Sequence, residues 1–169
     1  MRLPKSFGIA ALCILFTSNG AYAARQEPAD DADEGQESET AVQRSDLPPA
    51  VEKTVAAQAA HARIKGFSRE VEHGKTFYEA ELIVNGHTRD VLMDESGTIV
   101  EIEEQIAFKE LPKPVQAALR KRAGRGTIRV VESLTKEGKL VAYEAHIVTG
   151  GKWSEQQVGP NGETLDHEE

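Results

Sequence analysis

Cysteine is almost missing from this sequence of 169 residues, because Cys13 is the only one. Cys13 lies within an apolar run near the N-terminus that is expected to be removed from the mature protein. A mature chain without cysteine can form no disulfide bond. Its stability must therefore come from an ordinary hydrophobic core.

Long apolar runs are also scarce. The one candidate, residues 7–16, is ten residues long, whereas a membrane-spanning helix needs about 20. Basic residues precede this run, and a small-x-small pattern follows it at residues 21–23. This order predicts a secretory signal peptide over residues 1–23, cleaved after Ala23. We therefore expect an exported protein, periplasmic or secreted, that does not span the membrane.

Basic side chains are outnumbered by acidic ones. Removal of the signal peptide leaves 18 basic against 28 acidic side chains, a net charge of −10. This balance argues against general nucleic-acid binding. Much of the acidity falls in residues 24–46, which show no apolar periodicity. We interpret this segment as a disordered acidic tether, with loose binding of divalent cations as the alternative.

What the sequence does contain is an internal repeat. Short motifs recur in the same order at offsets of 64 or 65 residues, which indicates a duplicated structural unit. The recurring segments are "LPPAV" (47–51) and "LPKPV" (111–115), "YEAELIVNG" (78–86) and "YEAHIVTGG" (143–151), and "DESG" (94–97) and "GPNG" (159–162). The mature chain therefore divides into a first unit at residues 47–110 and a second at 111–169.

The Tyr-Glu-Ala segments fit β-strands, since polar and apolar residues alternate around them. The Asn-Gly dipeptide at 85–86 predicts a two-residue hairpin turn, which pairs Tyr78 with Met93. A Gly-Gly turn in the second unit pairs Tyr143 with Val158 by the same logic. Because successive strand residues point to opposite faces, the tyrosine and alanine share one face and the glutamate lies on the other.

A helix-forming segment opens each unit, with a narrow and alanine-rich apolar stripe. The predicted fold class is therefore α+β. It consists of two tandem units, each a helix followed by a four-stranded antiparallel meander. The helix covers one face of each meander, and the other face is left open.

This order of elements resembles the PepSY and PepSY-like domains, which include relatives of the β-lactamase-inhibitor protein. The resemblance is carried by Leu47-Pro48, by Tyr78-Glu79-Ala80, by residues 94–97 and by their counterparts in the second unit. It implies an exported, non-catalytic module that binds or inhibits another envelope protein, often a hydrolase. The chain departs from the β-lactamase inhibitors because it has no disulfide in either unit.

An enzyme is not expected. Glu79 and Glu144 with their neighbouring tyrosines are candidates for acid–base catalysis. However, each tyrosine and its glutamate point to opposite faces of a strand and cannot converge on one substrate. The sequence also contains no nucleophile elbow, P-loop or dinucleotide fingerprint. We therefore predict no catalytic residue and no cofactor.

The open sheet face is the predicted binding surface for another envelope or extracellular protein. Trp153, the only tryptophan, is placed there by the hairpin register, and tryptophan is a common interface anchor. Packing of Trp153 against the other unit is the alternative. The predicted partner-binding residues are Glu144, His146, Val148, Trp153, Glu155 and Gln157, with Glu79 and Glu81 from the first unit.

A weak cation site is the second possibility on this face. Glu144 and His146 lie two residues apart on one strand, and His146 is placed opposite Glu155. A zinc site needs three or four converging ligands, so no metal site is predicted from these residues. Cation binding or sensing in the cell envelope remains the alternative function.

Overall fold

A computed structural model of the protein describes residues 38–167 and 169. Two helices and eight strands make up the fold, and two short 3-10 turns, Arg44–Asp46 and Phe108–Glu110, precede the helices. The elements are β1 (Ser38–Ala41), α1 (Pro49–Gln58), β2 (Arg63–Glu72), β3 (Lys75–Val84), β4 (His87–Asp94), β5 (Ile99–Gln105), α2 (Lys113–Ala123), β6 (Thr127–Lys136), β7 (Lys139–Thr149) and β8 (Lys152–Val158). Among the described residues, no helix is long and apolar enough to cross a membrane.

The two predicted hairpins are confirmed residue by residue. Tyr78 pairs with Met93 across β3 and β4, and Tyr143 pairs with Val158 across β7 and β8. The first turn works because Asn85 has a φ of 51°, a left-handed conformation that asparagine tolerates better than most residues. Turn chemistry therefore sets both registers, and with them the face on which each side chain lies.

Each helix covers the sheet face that carries the tyrosine and alanine of its Tyr-Glu-Ala triplet. Helix α1 buries Val51 and Val55 in a core with Tyr78 and Ala80. Helix α2 forms a second core of the same kind. The buried residues of that second core are Leu111, Val115, Leu119, Val131, Tyr143, Ala145, Ile147 and Val158. The helix-covered side of the sheet thus follows the prediction in both halves.

The last glycine of each "DESG"/"GPNG" motif contacts the start of a helix. Gly97 has a φ of 78°, and a Cβ there would lie 2.4 Å from the carbonyl oxygen of Ala50 in α1. Gly162 has a φ of 82°, and a Cβ there would lie 2.7 Å from the backbone of Pro114 in α2. Only glycine fits both this conformation and this approach, which gives the repeated motif a structural role.

The predicted fold class of two tandem units, each with its own four-stranded meander, is wrong. All eight strands form a single antiparallel sheet in the order β1 to β8, and β5 pairs directly with β6. The second half ends at β8, because residues 159–163 close a turn and no further strand follows among the described residues. A free strand edge exposes unpaired backbone groups, and pairing of β5 with β6 satisfies them.

Residues 38–46, which belong to the predicted tether, are part of the fold. They form β1 and the 3-10 turn that leads into α1. β1 pairs with β2 at the edge of the sheet, so that Glu39 lies opposite Glu70. Backbone pairing to a free edge can order even a polar segment. The predicted signal peptide and residues 24–37 of the tether lie outside the described residues.

The face opposite the helices is not open, which is a second correction. Glu79 is 2% exposed and Glu144 is 5% exposed. The sheet curls towards this face, since Thr88 of β4 donates a hydrogen bond to Glu132 of β6 at 3.2 Å across the intervening β5. Irregular pairing within β2–β3, β4–β5 and β6–β7 accompanies this curvature, as β-bulges bend strands. We call this surface the acidic face.

Candidate functional site

Five glutamates are buried on the acidic face, together with the apolar side chains of Leu92 and Leu134. Ionised carboxylates are almost never fully buried unless something compensates their charge. The arrangement around each carboxylate therefore shows what the face can bind. The buried glutamates are Glu70, Glu79, Glu101, Glu132 and Glu144.

We call strands β6–β8, which α2 covers, the α2 half of the sheet. In this half, His146 lies at the centre of three carboxylates. Its Nε2 is 2.8 Å from Oε2 of Glu132 and 3.2 Å from Oε1 of Glu144. Its Nδ1 is 3.3 Å from Oε1 of Glu155 on β8. Burial alone would lower the pKa of His146, but its hydrogen bonds to Glu132 and Glu155 and the surrounding negative charge raise that pKa to about 10. The ring is therefore an imidazolium that donates from both nitrogens.

Glu144 is held by a second hydrogen bond from the neighbouring strand. Nε2 of Gln157 donates to Oε2 of Glu144 at 2.8 Å, and the backbone N–H of Glu169 donates to Oε1 of Gln157 at 2.8 Å. Burial raises the pKa of Glu144 to about 7, although the hydrogen bond from Gln157 opposes this shift. The α2 half of the acidic face is thus a closed hydrogen-bond network around one histidine.

Strands β1–β5 form the α1 half of the sheet. In this half, the carboxylates of Glu39, Glu70 and Glu79 lie close to one another. The Oγ of Ser68 is 3.2 Å from Oε1 of Glu70 and 3.3 Å from Oε2 of Glu79. Oε2 of Glu70 is buried and has no hydrogen-bond partner among the described residues. Burial, followed by the contact with Glu79, raises the pKa of Glu70 to about 9. Within the part of the chain that the structure describes, one oxygen of this cluster therefore has no donor.

Between the two clusters lies a small cavity of about 10 Å³. Its size corresponds to roughly one water-sized sphere. Burial raises the pKa of Glu103 on this wall to about 9, and the charge of Glu132 adds to the shift. The lining residues are Glu79, Asp90, Leu92, Glu101 and Glu103. The cavity is small enough for a single ion or water molecule and lined almost entirely by carboxylates.

A larger cavity of about 610 Å³ lies away from the acidic face, between the end of α2 and strands β5 and β6. Arg120 and Arg129 contribute to its wall, and the guanidinium of Arg120 stacks 4.6 Å above the ring of Phe108. This stacking fixes the arginine through a cation–π contact. The basic character of this cavity contrasts with the acidity of the rest of the chain.

The structure brings together only part of the predicted binding surface. Glu144, His146, Glu155 and Gln157 form the network described above. Trp153 pairs with Val148 at the end of the β7–β8 hairpin. Glu79 and Glu81 lie in the α1 half, where Glu79 is buried and Glu81 forms an ion pair with Lys65. Because Glu79, Glu144 and Gln157 are buried, they are not available as direct contacts for a partner.

Several residues of the acidic face were not predicted from the sequence. Glu132 contacts His146 from β6. The two-residue turn Glu137-Gly138 joins β6 to β7, and this turn was the available signal for that contact. Glu101 and Glu103 alternate with Ile102 along β5, which is a signal for one polar strand face. Glu39 was assigned to the tether, and Glu70 lies on β2 without a motif. The alternation along β5 could have placed Glu101 and Glu103 on one face of the sheet, but it does not show that this face is buried.

Among the residues that the structure describes, two groups of side chains are close enough together to hold a metal ion. Their ligand atoms lie within 4.8 Å of one another in each group. Glu132, Glu144 and His146 form the first, where the histidine already supplies the positive charge. Glu39, Glu70 and Glu79 form the second, which has oxygen ligands alone. Oxygen ligands suit hard cations such as Ca²⁺.

No protein-family model matches this chain, and no curated protein matches it in sequence. Solved structures do share its fold. A candidate periplasmic protein from Bacteroides eggerthii is 16% identical, with a TM-score of 0.60 over 72% of this chain and 88% of that one. A DUF2874 family protein from Bacteroides ovatus is 16% identical, with a TM-score of 0.57 over 71% and 85%.

A BLIP-like protein from Bacteroides fragilis is 19% identical, with a TM-score of 0.53 over 72% of this chain and 86% of that one. At these identities the likeness concerns the fold alone. It supports the BLIP-like part of the resemblance seen in the sequence. It gives no support for PepSY domains in particular. The chain therefore has a BLIP-like fold, shared with DUF2874 family structures.

Proposed function

We propose that this protein is an exported, non-catalytic module that binds another protein of the cell envelope. The fold supports this proposal, because it is shared with a BLIP-like protein and with a candidate periplasmic protein. The predicted signal peptide agrees with that location. The observation that carries the proposal is the exposure of a single tryptophan at the rim of the acidic face.

Trp153 is 42% exposed and belongs to neither hydrophobic core. It lies on β8 next to the paired Val148, so the two side chains form an apolar spot at the end of the last hairpin. Tryptophan combines a large apolar surface with an N–H donor and is enriched among residues that dominate binding energy. This spot fits an anchor for a partner better than a core residue.

The charge around this spot indicates the kind of partner. Glu155 lies two residues from Trp153 on the same side of β8, and the mature chain carries a net charge of −10. Complementary potentials favour association and select partners. We therefore expect a partner with a basic surface and an apolar pocket. If the partner is an envelope hydrolase, binding would inhibit or regulate it.

The absence of catalysis belongs to the same proposal. Tyr78 and Glu79 lie on opposite faces of the sheet, as do Tyr143 and Glu144. Glu144 accepts a hydrogen bond from Gln157 and is 5% exposed. A general acid or base must reach its substrate within hydrogen-bond distance. These carboxylates are engaged inside the protein and do not offer that access.

Capture from an envelope extract tests the proposal, with Trp153→Ala as the informative variant. Leu140→Ala is the matched control, because Leu140 is 39% exposed but lies at the opposite end of β7. We expect wild type and Leu140→Ala to capture the same partner, identified by mass spectrometry. Trp153→Ala should lose about 2 kcal/mol or more of binding energy towards the purified partner, as interface anchors do. Equal capture by all three proteins would contradict the proposal.

Cation binding is a second candidate function, favoured by the buried carboxylates of the acidic face. Calorimetry with Ca²⁺ and Zn²⁺ on the chain without residues 1–23 tests it. Burial of several carboxylates around one cavity predicts a preference for Ca²⁺, since hard cations prefer oxygen ligands. Absence of heat with either ion would remove this candidate and leave the protein-binding proposal untouched.

A further inference from the structure

The edge of the sheet places two acidic side chains directly opposite each other. Glu39 of β1 pairs with Glu70 of β2, and Glu79 of β3 lies diagonally beyond, since it pairs with Ser68. Like charges in directly opposite positions of neighbouring strands are destabilising. This pairing therefore needs a positive charge or a proton between the strands.

One buried oxygen of this cluster has no hydrogen-bond donor among the described residues. A serine hydroxyl has one hydrogen, yet Oγ of Ser68 lies between the carboxylates of Glu70 and Glu79. Glu70 is 2% exposed, and its Oε2 has no hydrogen-bond partner among the described residues. A buried acceptor without a partner is rare in folded proteins. The unpartnered oxygen lies within the cluster where the three ligand atoms converge.

We infer that a divalent cation of the Ca²⁺ type binds between Glu39, Glu70 and Glu79 and holds β1 on the edge of the sheet. This inference rests on the second candidate function and names its site. Ca²⁺ accepts six to eight oxygen ligands at about 2.3–2.6 Å. Oxygens on opposite sides of one such ion are about 5 Å apart, and the three ligand atoms lie within 4.8 Å of one another.

Other ions fit less well. Zn²⁺ favours nitrogen and sulfur ligands, and this group offers only carboxylate oxygens. Mg²⁺ needs a near-ideal octahedron at about 2.0–2.1 Å, which three glutamates from three different strands satisfy poorly. Glu39 is exposed, so water can complete the coordination sphere of the larger ion.

If the cation binds here, the pairing of β1 with β2 depends on it. β1 has four residues, and all of them are exposed. Its ladder to β2 is extended by a single backbone hydrogen bond, from the N–H of Val42 to the carbonyl of Phe67 at 3.1 Å. Little apolar burial therefore holds β1 in place. Removal of the cation restores the repulsion between Glu39 and Glu70, and β1 should then open more often.

The experiment uses the chain without residues 1–23, freed of metal ions and titrated with Ca²⁺ by calorimetry at pH 8. Glu70→Gln is the test variant and Glu39→Gln is a second one that changes only an exposed side chain. The matched control is Glu104→Gln, because Glu104 is an exposed glutamate on β5 that carries the same charge. Residues 24–37 are present in every variant, so cation binding by the acidic tether contributes equally.

We expect wild type and Glu104→Gln to bind one Ca²⁺ with equal affinity. Glu70→Gln and Glu39→Gln should each bind it at least tenfold more weakly. Amide hydrogen exchange at residues 38–41 should slow at least tenfold when Ca²⁺ is added to wild type and to Glu104→Gln. Unchanged exchange in β6–β8 confirms that each variant is folded.

Three results would overturn the inference. Equal Ca²⁺ affinity in wild type and Glu70→Gln would show that the ion binds elsewhere. No binding to wild type at pH 8 would show that the carboxylates share only a proton. Ca²⁺ binding without slower exchange at 38–41 would show that the ion does not hold β1. Trp153→Ala should keep the full Ca²⁺ response, so failure here is distinct from failure of the protein-binding proposal.

Discussion

The two halves of the acidic face both bury glutamates, and they differ in what compensates the negative charge. Glu79 and Glu144 occupy equivalent places in the internal repeat, and both are buried. Two residues further along, the α2 half has His146, which contacts three carboxylates. The α1 half has Glu81 there, and Oε2 of Glu70 is buried with no hydrogen-bond partner in residues 38–167 or 169. One half therefore carries its counter-charge as a side chain, and we expect the other to take it from solution.

The contrast does not extend to the helix-covered side. There the two halves repeat the same tyrosine, alanine and glycine positions in equivalent packing. Packing against a helix demands particular shapes, whereas a buried carboxylate can be compensated by a histidine, a proton or a cation. The repeat thus preserves the helix-covered side of the sheet and varies the acidic face.

The largest expected effect tests the equivalence of the two cores. Tyr78→Ala and Tyr143→Ala should each lower the free energy of unfolding by about 3–5 kcal/mol, as other large core truncations do. Both tyrosines are 8% exposed. Urea unfolding measures the two losses. A difference of more than about 2 kcal/mol between them, beyond the usual spread of such substitutions, would show that the cores are not equivalent.

His146→Gln should have the next largest effect, because it leaves three carboxylates around a site without a positive charge. Loss of one partner from a buried ion pair costs about 3 kcal/mol or more. His87→Gln is the control, since His87 is exposed and surface substitutions stay within about 0.5 kcal/mol. Equal urea midpoints for the two variants would refute the role given to His146.

The free energy of unfolding that His146→Gln removes should decrease as the pH rises. The pKa of His146 is raised to about 10 by Glu132, Glu155 and Glu144, against the opposing effect of burial, and the unfolded value is about 6.5. The stabilisation from the imidazolium is therefore complete below about pH 6.5 and lost as the pH rises through 10. The difference between wild type and His146→Gln should shrink over that range.

Glu70→Gln should have the smallest effect and the opposite sign. Without divalent cations at pH 8 it should raise the free energy of unfolding by about 1 kcal/mol. The reason is that a neutral amide with its own N–H donors replaces a carboxyl that is buried beside Glu79. Burial and Glu79, with a smaller contribution from Glu39, raise the pKa of Glu70 to about 9. Protonated Glu70 contributes to the free energy of unfolding. This contribution is fully present below about pH 4.5 and is lost as the pH rises through 9.

The gain from Glu70→Gln should accordingly vanish below about pH 4.5, where the carboxyl is neutral in both the folded and the unfolded chain. Thermal unfolding at pH 4 and pH 8 measures the change, with Glu104→Gln as the control for a general loss of negative charge. A destabilising Glu70→Gln at pH 8 in the absence of cations would show that the α1 half already has its counter-charge.

Much of the sheet could be predicted from local sequence. The pairing of Tyr78 with Met93 and of Tyr143 with Val158 follows from two-residue turns, which fix a register over a whole hairpin. Pairing of β5 with β6 could not be predicted in this way. It depends on which strand edges remain free once the hairpins form, and no turn connects the two strands directly.

The contacts on the acidic face were predicted in part for a similar reason. Alternation along β7 and β8 places His146 opposite Glu155, as the structure confirms. Glu132 reaches His146 from β6, through a pairing that spans a bulge. Curvature then brings Thr88 to Glu132 across β5. This last contact joins strands that are not neighbours in the sheet, and it leaves no local pattern in the sequence.

The sequence by itself determined the hairpins, the helix-covered faces and the sign of the charge on the other face, because turn chemistry and side-chain alternation act over a few residues. Only the tertiary structure decided that this face is buried and that Glu70, Glu103 and Glu144 have raised pKa values. The physical reason is that desolvation depends on how the whole sheet curls. The same curvature places Glu39, Glu70 and Glu79 around one point and leaves Trp153 at the rim.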